Sequence, residues 1–403
     1  MKALIRPGTA RGVMAAPPSK SMAHRLLICA GLSEGTHTVR GIDWSEDILA
    51  TADCLEALGA SVAWDGRNAR IRGTDPRGAA PAVLRCRESG STLRFMIPLC
   101  LLSGNPMRLD GSPVLLSRPL SVYEDLARSR GFRLERAEGN LLVEGRLAPG
   151  EYELPGDISS QFVSGLLFAL PLLPGPSVIR LIPPVESRSY LLLTVQALRD
   201  AGIDVRWTDE NTLAVPGGSA YRAEDAVVEG DWSNAAFLDA LNCIGGDVRL
   251  TGLREDSLQG DRVCREYFPR LVQGPAELDI RDCPDLAPVL LAVAGLCHGA
   301  VLTGTRRLRF KESDRGRAMA DEMRKFGIPL RLEENRIVVP ACPLHAPAEP
   351  LSSHNDHRIA MALSLLCTRT GGEILGAEAV RKSFPDYWES LQALGIPVSL
   401  TEA

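Results

Sequence analysis

Aromatic residues are scarce in this chain of 403 residues, 5% of the total, and no apolar run approaches the length that crosses a bilayer. The longest apolar stretches are broken by Pro, Gly or charge, which argues against a helical membrane protein. The ten cysteines include no CxxC pair, so the sequence offers neither a zinc knuckle nor a dithiol redox motif. No signal-peptide pattern precedes them, and they are expected to be reduced thiols of a cytoplasmic protein. Positive charge is not in excess either. A net charge of -5 argues against nucleic acid or an anionic membrane as partner, so any anion site must be a local cluster. GxxxxGK[ST] and GxGxxG are absent, and the one GxSxG match, at residues 31–35, closes the first apolar segment instead of joining a strand to a helix, which argues against the ATPase phosphate loop, the dinucleotide fingerprint and the hydrolase elbow. His354 and His357 lack a third ligand or an HExxH pattern, and neither metal nor cofactor is expected.

What is present is a repeat. The length alone predicts two domains of about 200 residues each. Six polar openings, centred on Ser21, Ser91, Ser160, Ser233, Asp285 and Asp356, each precede an apolar segment; their separations are 70, 69, 73, 52 and 71. The segments, such as Leu93 to Leu102 and Leu286 to Leu296, are apolar on most sides and are expected to be buried helices. About 35 residues after most openings a helix ends at Gly and a strand follows, as at Gly59, Gly131, Gly202, Gly327 and Gly395. The fourth unit has no clear copy, and the separation of 52 locates the same loss. Strand-helix units, three per half, predict an α/β protein of two pseudo-equivalent domains. One spans residues 19–230; the other is discontinuous, residues 1–18 plus 231–403.

The openings carry chemistry. Residues 17–25, with Lys20, Ser21 and Arg25, set a lysine, two serines and an arginine at a helix N-terminus, where free N–H groups and the dipole favour an anion. Residues 87–94 repeat the design around Gly90, where a ligand can touch backbone. Ser159, Ser160 and Gln161 bring two hydroxyls and an amide to a third helix start; each of these also reads as a plain N-cap. Residues 307–315, with Lys311, Glu312 and Arg315, alternate basic and acidic side chains before an amphipathic segment, and Arg358 lies at the sixth opening.

Taken together, ProSerLysSerxxxArg at 18–25, GlySerThrxArg at 90–94, ArgPro at 118–119, SerSerGlnPhe at 159–162, LysGluSerAspArg at 311–315, AsnAspHisArg at 355–358 and LysSerPheProAspTyr at 382–387 resemble the enolpyruvyl transferases called EPSP synthases, in order and spacing, over essentially the whole chain. The resemblance implies two inside-out α/β domains of three repeats each. It implies transfer of the enolpyruvyl group of phosphoenolpyruvate to the 5-hydroxyl of shikimate 3-phosphate, with release of phosphate, in aromatic amino-acid biosynthesis. Lys20, Gly90, Arg118, Gln161, Arg315, Arg358 and Lys382 would hold phosphoenolpyruvate. Lys20, Ser21, Arg25, Ser159, Ser160, Gln161, Ser187, Asp285 and Lys311 would hold shikimate 3-phosphate. Asp285 would accept the hydroxyl proton, Glu312 would serve proton transfer at the methylene carbon, and Lys20 would join the catalytic set. No cofactor, nucleic acid or membrane is implied, and a cytoplasmic monomer is expected. The chain departs from many members at Ala23, Glu88, Ser89, Leu192 and Arg307. The sister enzymes acting on UDP-N-acetylglucosamine are disfavoured, since there Asn follows the lysine and here Ser21 follows Lys20.

Overall fold

In the computed structural model, which describes residues 1–402, each of the six openings starts a helix. Helices α1 (Lys20–Gly31), α2 (Glu46–Ala57), α3 (Gly90–Cys100), α4 (Ser160–Ala169), α5 (Arg188–Asp200), α6 (Trp232–Asp239), α7 (Ala287–Leu296), α8 (Arg315–Arg324) and α9 (His357–Thr370) carry the argument. Side chains cap five of the openings: Ser19, Ser89, Ser159, Asp231 and Asp356 each accept a hydrogen bond from a backbone N–H of the first turn. At the fifth opening Asp285 lies in a short 3-10 turn before α7 and makes no such cap.

The chain divides into two compact units, a continuous one (Pro18–Glu229) and a discontinuous one (Met1–Pro17 with Gly230–Ala403), each with its own hydrophobic core. In each, the helices that follow the openings are buried nearly all round, as their apolar sequences require, while the strands alternate buried with exposed residues. An element apolar on every side belongs in the middle and a sheet with one wet face belongs outside. The units are therefore inside-out, helices within and sheets around them.

Among the described residues there are six sheets, and five share one topology of four strands. Val83–Arg85 pairs parallel with Met107–Asp110, which pairs antiparallel with Asn140–Glu144, the inner strand of a hairpin with Arg133–Ala137. The same order joins Leu351–Ser352, Gly372–Leu375, Lys2–Ile5 and Val398–Thr401, so the N-terminal strand completes the last repeat of the discontinuous unit. The sixth sheet has two strands only, β1 (Arg11–Ala15) and β2 (Asp247–Thr251), paired parallel. Its hairpin is missing because the helix Cys264–Gln273 runs through Gly274 and Pro275 directly into the strand Ala276–Asp279. The side chain of Asn242 stands in for the lost neighbour: its Oδ1 accepts from Val248 N (2.7 Å) and its Nδ2 donates to Val248 O (2.9 Å). A bare edge is thereby closed at its buried residue. Beside it lies a cavity of about 300 Å³ lined by Trp232, Val248, Leu250 and Arg265, among others.

Candidate active site

In the continuous unit the cations sit where helix N-termini converge. Lys20, the first residue of α1, pairs with Asp47 at 2.8 Å. One turn further, Arg25 is buried and held by neutral oxygens: Nε donates to Thr194 Oγ1 (2.9 Å), Nη1 to Ser21 O (2.6 Å) and Nη2 to Tyr190 O (2.9 Å). Tyr190 and Thr194 lie on α5, which begins just after Ser187. That serine is buried in left-handed backbone (φ 55°) and its hydroxyl has no hydrogen-bond partner among the described residues. Beside α1, His24 is neutral: burial, then Lys20 and Arg25, push its pKa well below the ordinary value. Its Nδ1 meets Thr51 Oγ1 (2.7 Å), which continues through Thr92 Oγ1 (2.7 Å) to Ser89 Oγ (2.8 Å), a buried polar chain linking α1, α2 and α3.

A second group surrounds Gly90. A Cβ there would lie 2.6 Å from Arg118 Nη1 and 3.2 Å from Arg94 Nη1, so only glycine lets both guanidinium groups reach the start of α3. Arg94 Nη1 donates to Gln161 Oε1 (2.6 Å), and Gln161 Nε2 donates to Ser91 Oγ (2.9 Å). Arg118 is buried, and its Nε has no hydrogen-bond partner among the described residues. A buried guanidinium N–H left unpaired is costly, and an anion is the ligand that relieves it. Ser159 spends its hydroxyl as the cap of α4.

The discontinuous unit assembles the rest. Arg315, 1% exposed at the start of α8, donates through Nε to Asp356 Oδ2 (2.9 Å), through Nη1 to Asp285 Oδ1 (2.7 Å) and through Nη2 to Glu312 Oε2 (2.6 Å). Asp285 also takes Lys311 Nζ at 3.0 Å and Arg358 Nη2 at 3.2 Å. Burial alone would raise the pKa of Asp285, but Arg358, Lys311 and Arg315 outweigh it and hold the carboxyl well below its usual range. Burial lowers the pKa of Lys311, partly offset by Asp285. Asp261, buried and hydrogen-bonded by Ser233 Oγ (2.8 Å), is pushed up to about 7 by burial and then by Asp285. The cations side with Asp285, so Asp261 is the one of the two that takes up a proton as pH falls through about 7. Lys382 donates to Asn355 O (2.6 Å).

The expected residues divide between the units: Lys20, Ser21, Arg25, Gly90, Arg118, Ser159, Ser160, Gln161 and Ser187 belong to one, Asp285, Lys311, Glu312, Arg315, Arg358 and Lys382 to the other. Asp47, Arg94, Asp261 and Asp356 join these residues as partners of the charged groups. Arg94 ends the GlySerThrxArg motif and Asp356 opens the sixth helical segment; Asp47 and Asp261 carry no local signal in the sequence, because their roles depend on partners 24 or more residues away. His354 and His357 turn to different neighbours, His354 to Glu322 Oε1 (2.9 Å).

Such a protein is a repeat-built α/β binder of small, multiply anionic molecules, with carboxylates set among its cations. A profile of EPSP synthase (3-phosphoshikimate 1-carboxyvinyltransferase) matches residues 6–391. The 3-phosphoshikimate 1-carboxyvinyltransferase of Clostridium kluyveri is 37% identical over 413 aligned residues, 97% of this chain and 96% of its own. That of Clostridium perfringens is 35% identical, with 98% of each chain covered. A solved EPSP synthase from Acinetobacter baumannii superposes with a TM-score of 0.79 at 26% identity, covering 99% of this chain and 100% of that one. The chain belongs to the EPSP synthase family of enolpyruvyl transferases.

Proposed function

We infer that the chain transfers the enolpyruvyl group of phosphoenolpyruvate to the 5-hydroxyl of shikimate 3-phosphate and releases phosphate by addition and elimination. Family membership over nearly the whole length supports the reaction. In the addition, the 5-oxygen bonds to C2 of phosphoenolpyruvate, the hydroxyl proton goes to Asp285 and C3 gains a proton. In the elimination, the C2–O bond to phosphate breaks, C3 gives up a proton and the double bond re-forms. Glu312 serves the proton transfers at C3 and Lys20 the leaving phosphate. Lys20, Gly90, Arg118, Gln161, Arg315, Arg358 and Lys382 hold phosphoenolpyruvate; Lys20, Ser21, Arg25, Ser159, Ser160, Gln161, Ser187, Asp285 and Lys311 hold shikimate 3-phosphate.

The observation that carries this reading is the state of Asp285. It caps no helix and is instead ion-paired to Lys311, Arg315 and Arg358. The charges of Lys311, Arg315 and Arg358 are thus offset in part by Asp285, and that of Arg315 also by Glu312 and Asp356. A carboxylate held so acidic is a poor base. When an anionic substrate engages Arg315 and Arg358, Asp285 loses part of that compensation and its proton affinity rises at the moment the hydroxyl must be deprotonated. Base strength is thus coupled to site occupancy. Phosphate release is the test: it should require both substrates together and match product one for one. No release from the pair would overturn the assignment.

A further inference from the structure

The segment that leads into α9 is held in an uncommon backbone. His354 (φ 50°) and Asn355 (φ 54°) are consecutive non-glycine residues in the left-handed region, a conformation that persists only where surrounding contacts impose it. Its two ends are fixed by one face of α8. Arg315, in the first turn, binds Asp356 at the far end. Glu322, two turns on and 3% exposed, binds the near end: its Oε2 accepts from Ser352 N (2.9 Å) and its Oε1 meets His354 Nε2 (2.9 Å). Lys325 braces the carboxylate at 3.0 Å and donates to Pro350 O (2.9 Å). Between the two pins the carbonyl of Asn355 is turned outward, where it accepts Lys382 Nζ at 2.6 Å. Asp356 keeps its own hold on Arg315 and on the first turn of α9, and Ser352 and Ser353 stay paired with Leu375, so losing Glu322 would loosen His354 and Asn355 and leave Arg315 in place.

We propose that Glu322 is a positioning residue for Lys382: by clamping Ser352 and His354 it imposes the backbone that presents the Asn355 carbonyl, and that carbonyl aims the Lys382 ammonium at the phosphoenolpyruvate site. The inference rests on the reading above for Lys382. Burial of a carboxylate is expensive unless its lone pairs are met, and here a backbone N–H, an imidazole and an ammonium meet them. The clamp is therefore rigid, and the rigidity passes to the lysine through one carbonyl.

Two measurements on the full chain test it. In the first, KM for each substrate is measured for Glu322→Gln, Lys382→Met and the double variant. Glu322→Gln should raise KM for phosphoenolpyruvate roughly tenfold, with KM for shikimate 3-phosphate within about twofold, and should add nothing in the Lys382→Met background. A merely structural role would lower the active fraction, and so apparent kcat, without this split. Multiplicative effects in the double variant would overturn the proposal. In the second, acetylation of Lys382 by acetic anhydride is followed by mass spectrometry, with Lys2 as internal reference; Glu322→Gln should speed it several-fold by freeing the amine from Asn355. Unchanged acetylation, with Lys382→Met still weakening phosphoenolpyruvate, overturns the clamp and keeps the substrate reading. Faster acetylation with a kinetically silent Lys382→Met supports the clamp and overturns the substrate reading for Lys382.

Discussion

Asp285 and Asp261 are shifted in opposite directions because the cations around them are unevenly shared, and each shift has a consequence. For Asp285→Asn, the loss of the proton acceptor should lower kcat by about 10² to 10⁴ with a much smaller change in KM for shikimate 3-phosphate. The substitution also removes the shared counter-charge of Lys311, Arg315 and Arg358, so Tm should fall. A plain helix cap would behave otherwise, since Asn caps as well as Asp. Steady-state kinetics with a thermal melt checks both, and a variant that keeps its kcat would remove Asp285 from the base role. Asp261 concerns stability. Its folded pKa, about 7, lies above the ordinary carboxylate value of 3.8, so the folded state holds a proton that the unfolded chain gives up. The stabilisation is complete below the unfolded value and is lost as pH rises through about 7. Asp261→Asn keeps an oxygen for the Ser233 hydroxyl and does not titrate. The Tm of the natural chain minus that of the variant should therefore shrink between pH 5 and pH 8. A constant difference would show that Asp261 does not titrate in that range.

At the scale of helices and sheets, the most extensive helix-to-helix contact in the continuous unit is that of α3 and α4, whose N-terminal ends supply Gly90, Arg94 and Gln161. Gly165 makes it possible: a Cβ there would collide with the Tyr123 hydroxyl and lie 2.5 Å from the Arg94 carbonyl. The same hydroxyl bridges the carbonyls of Arg94 (2.8 Å) and Phe162 (3.0 Å), fixing one helix against the other. Gly165→Ala should cost about 1–3 kcal/mol by overpacking and raise KM for phosphoenolpyruvate through displaced Arg94 and Gln161. A denaturant melt with no loss of stability would count against this packing. These elements differ in how plainly the sequence announces them. The six openings are legible because a polar cap followed by an all-apolar segment is a local signal, and the hairpins because Gly ends the helix before each. The shortened fourth repeat shows as a spacing of 52, and the structure supplies its physical form, a two-strand sheet closed by Asn242. Gly165 is silent in sequence, since a small residue in a buried helix has many uses. Glu322 is silent too, read only as the polar side of an amphipathic segment, because its partners Ser352 and His354 lie 30 and 32 residues away.

For the whole molecule, the decisive fact is that the continuous unit is inserted into the other and yet has its own core, with Leu27, Met96, Leu167 and Ile179 among its fully buried residues. Its chain enters and leaves side by side, Ser19 N donating to Glu229 O at 2.8 Å, so its ends are already joined by a backbone hydrogen bond. About 200 residues are enough to bury a core at ordinary domain size. Residues 18–229, expressed alone, should therefore fold, with a single cooperative urea transition and a dispersed amide spectrum. Lys20, Ser21, Arg25, Ser159, Ser160, Gln161 and Ser187 all belong to this unit, whereas Asp285, Lys311 and Glu312 belong to the other. If the assignment of those residues to shikimate 3-phosphate is right, the isolated unit should bind shikimate 3-phosphate measurably by calorimetry, more weakly than the full chain, and release no phosphate when phosphoenolpyruvate is added. Arg25→Met in the isolated unit should abolish that binding, because this buried guanidinium is surrounded by neutral oxygens and has no carboxylate among its bonded partners Thr194, Ser21 and Tyr190. A folded unit that shows no affinity for shikimate 3-phosphate would place the binding free energy with Asp285 and Lys311 instead, and a unit that does not fold would show that its core depends on the remainder of the chain.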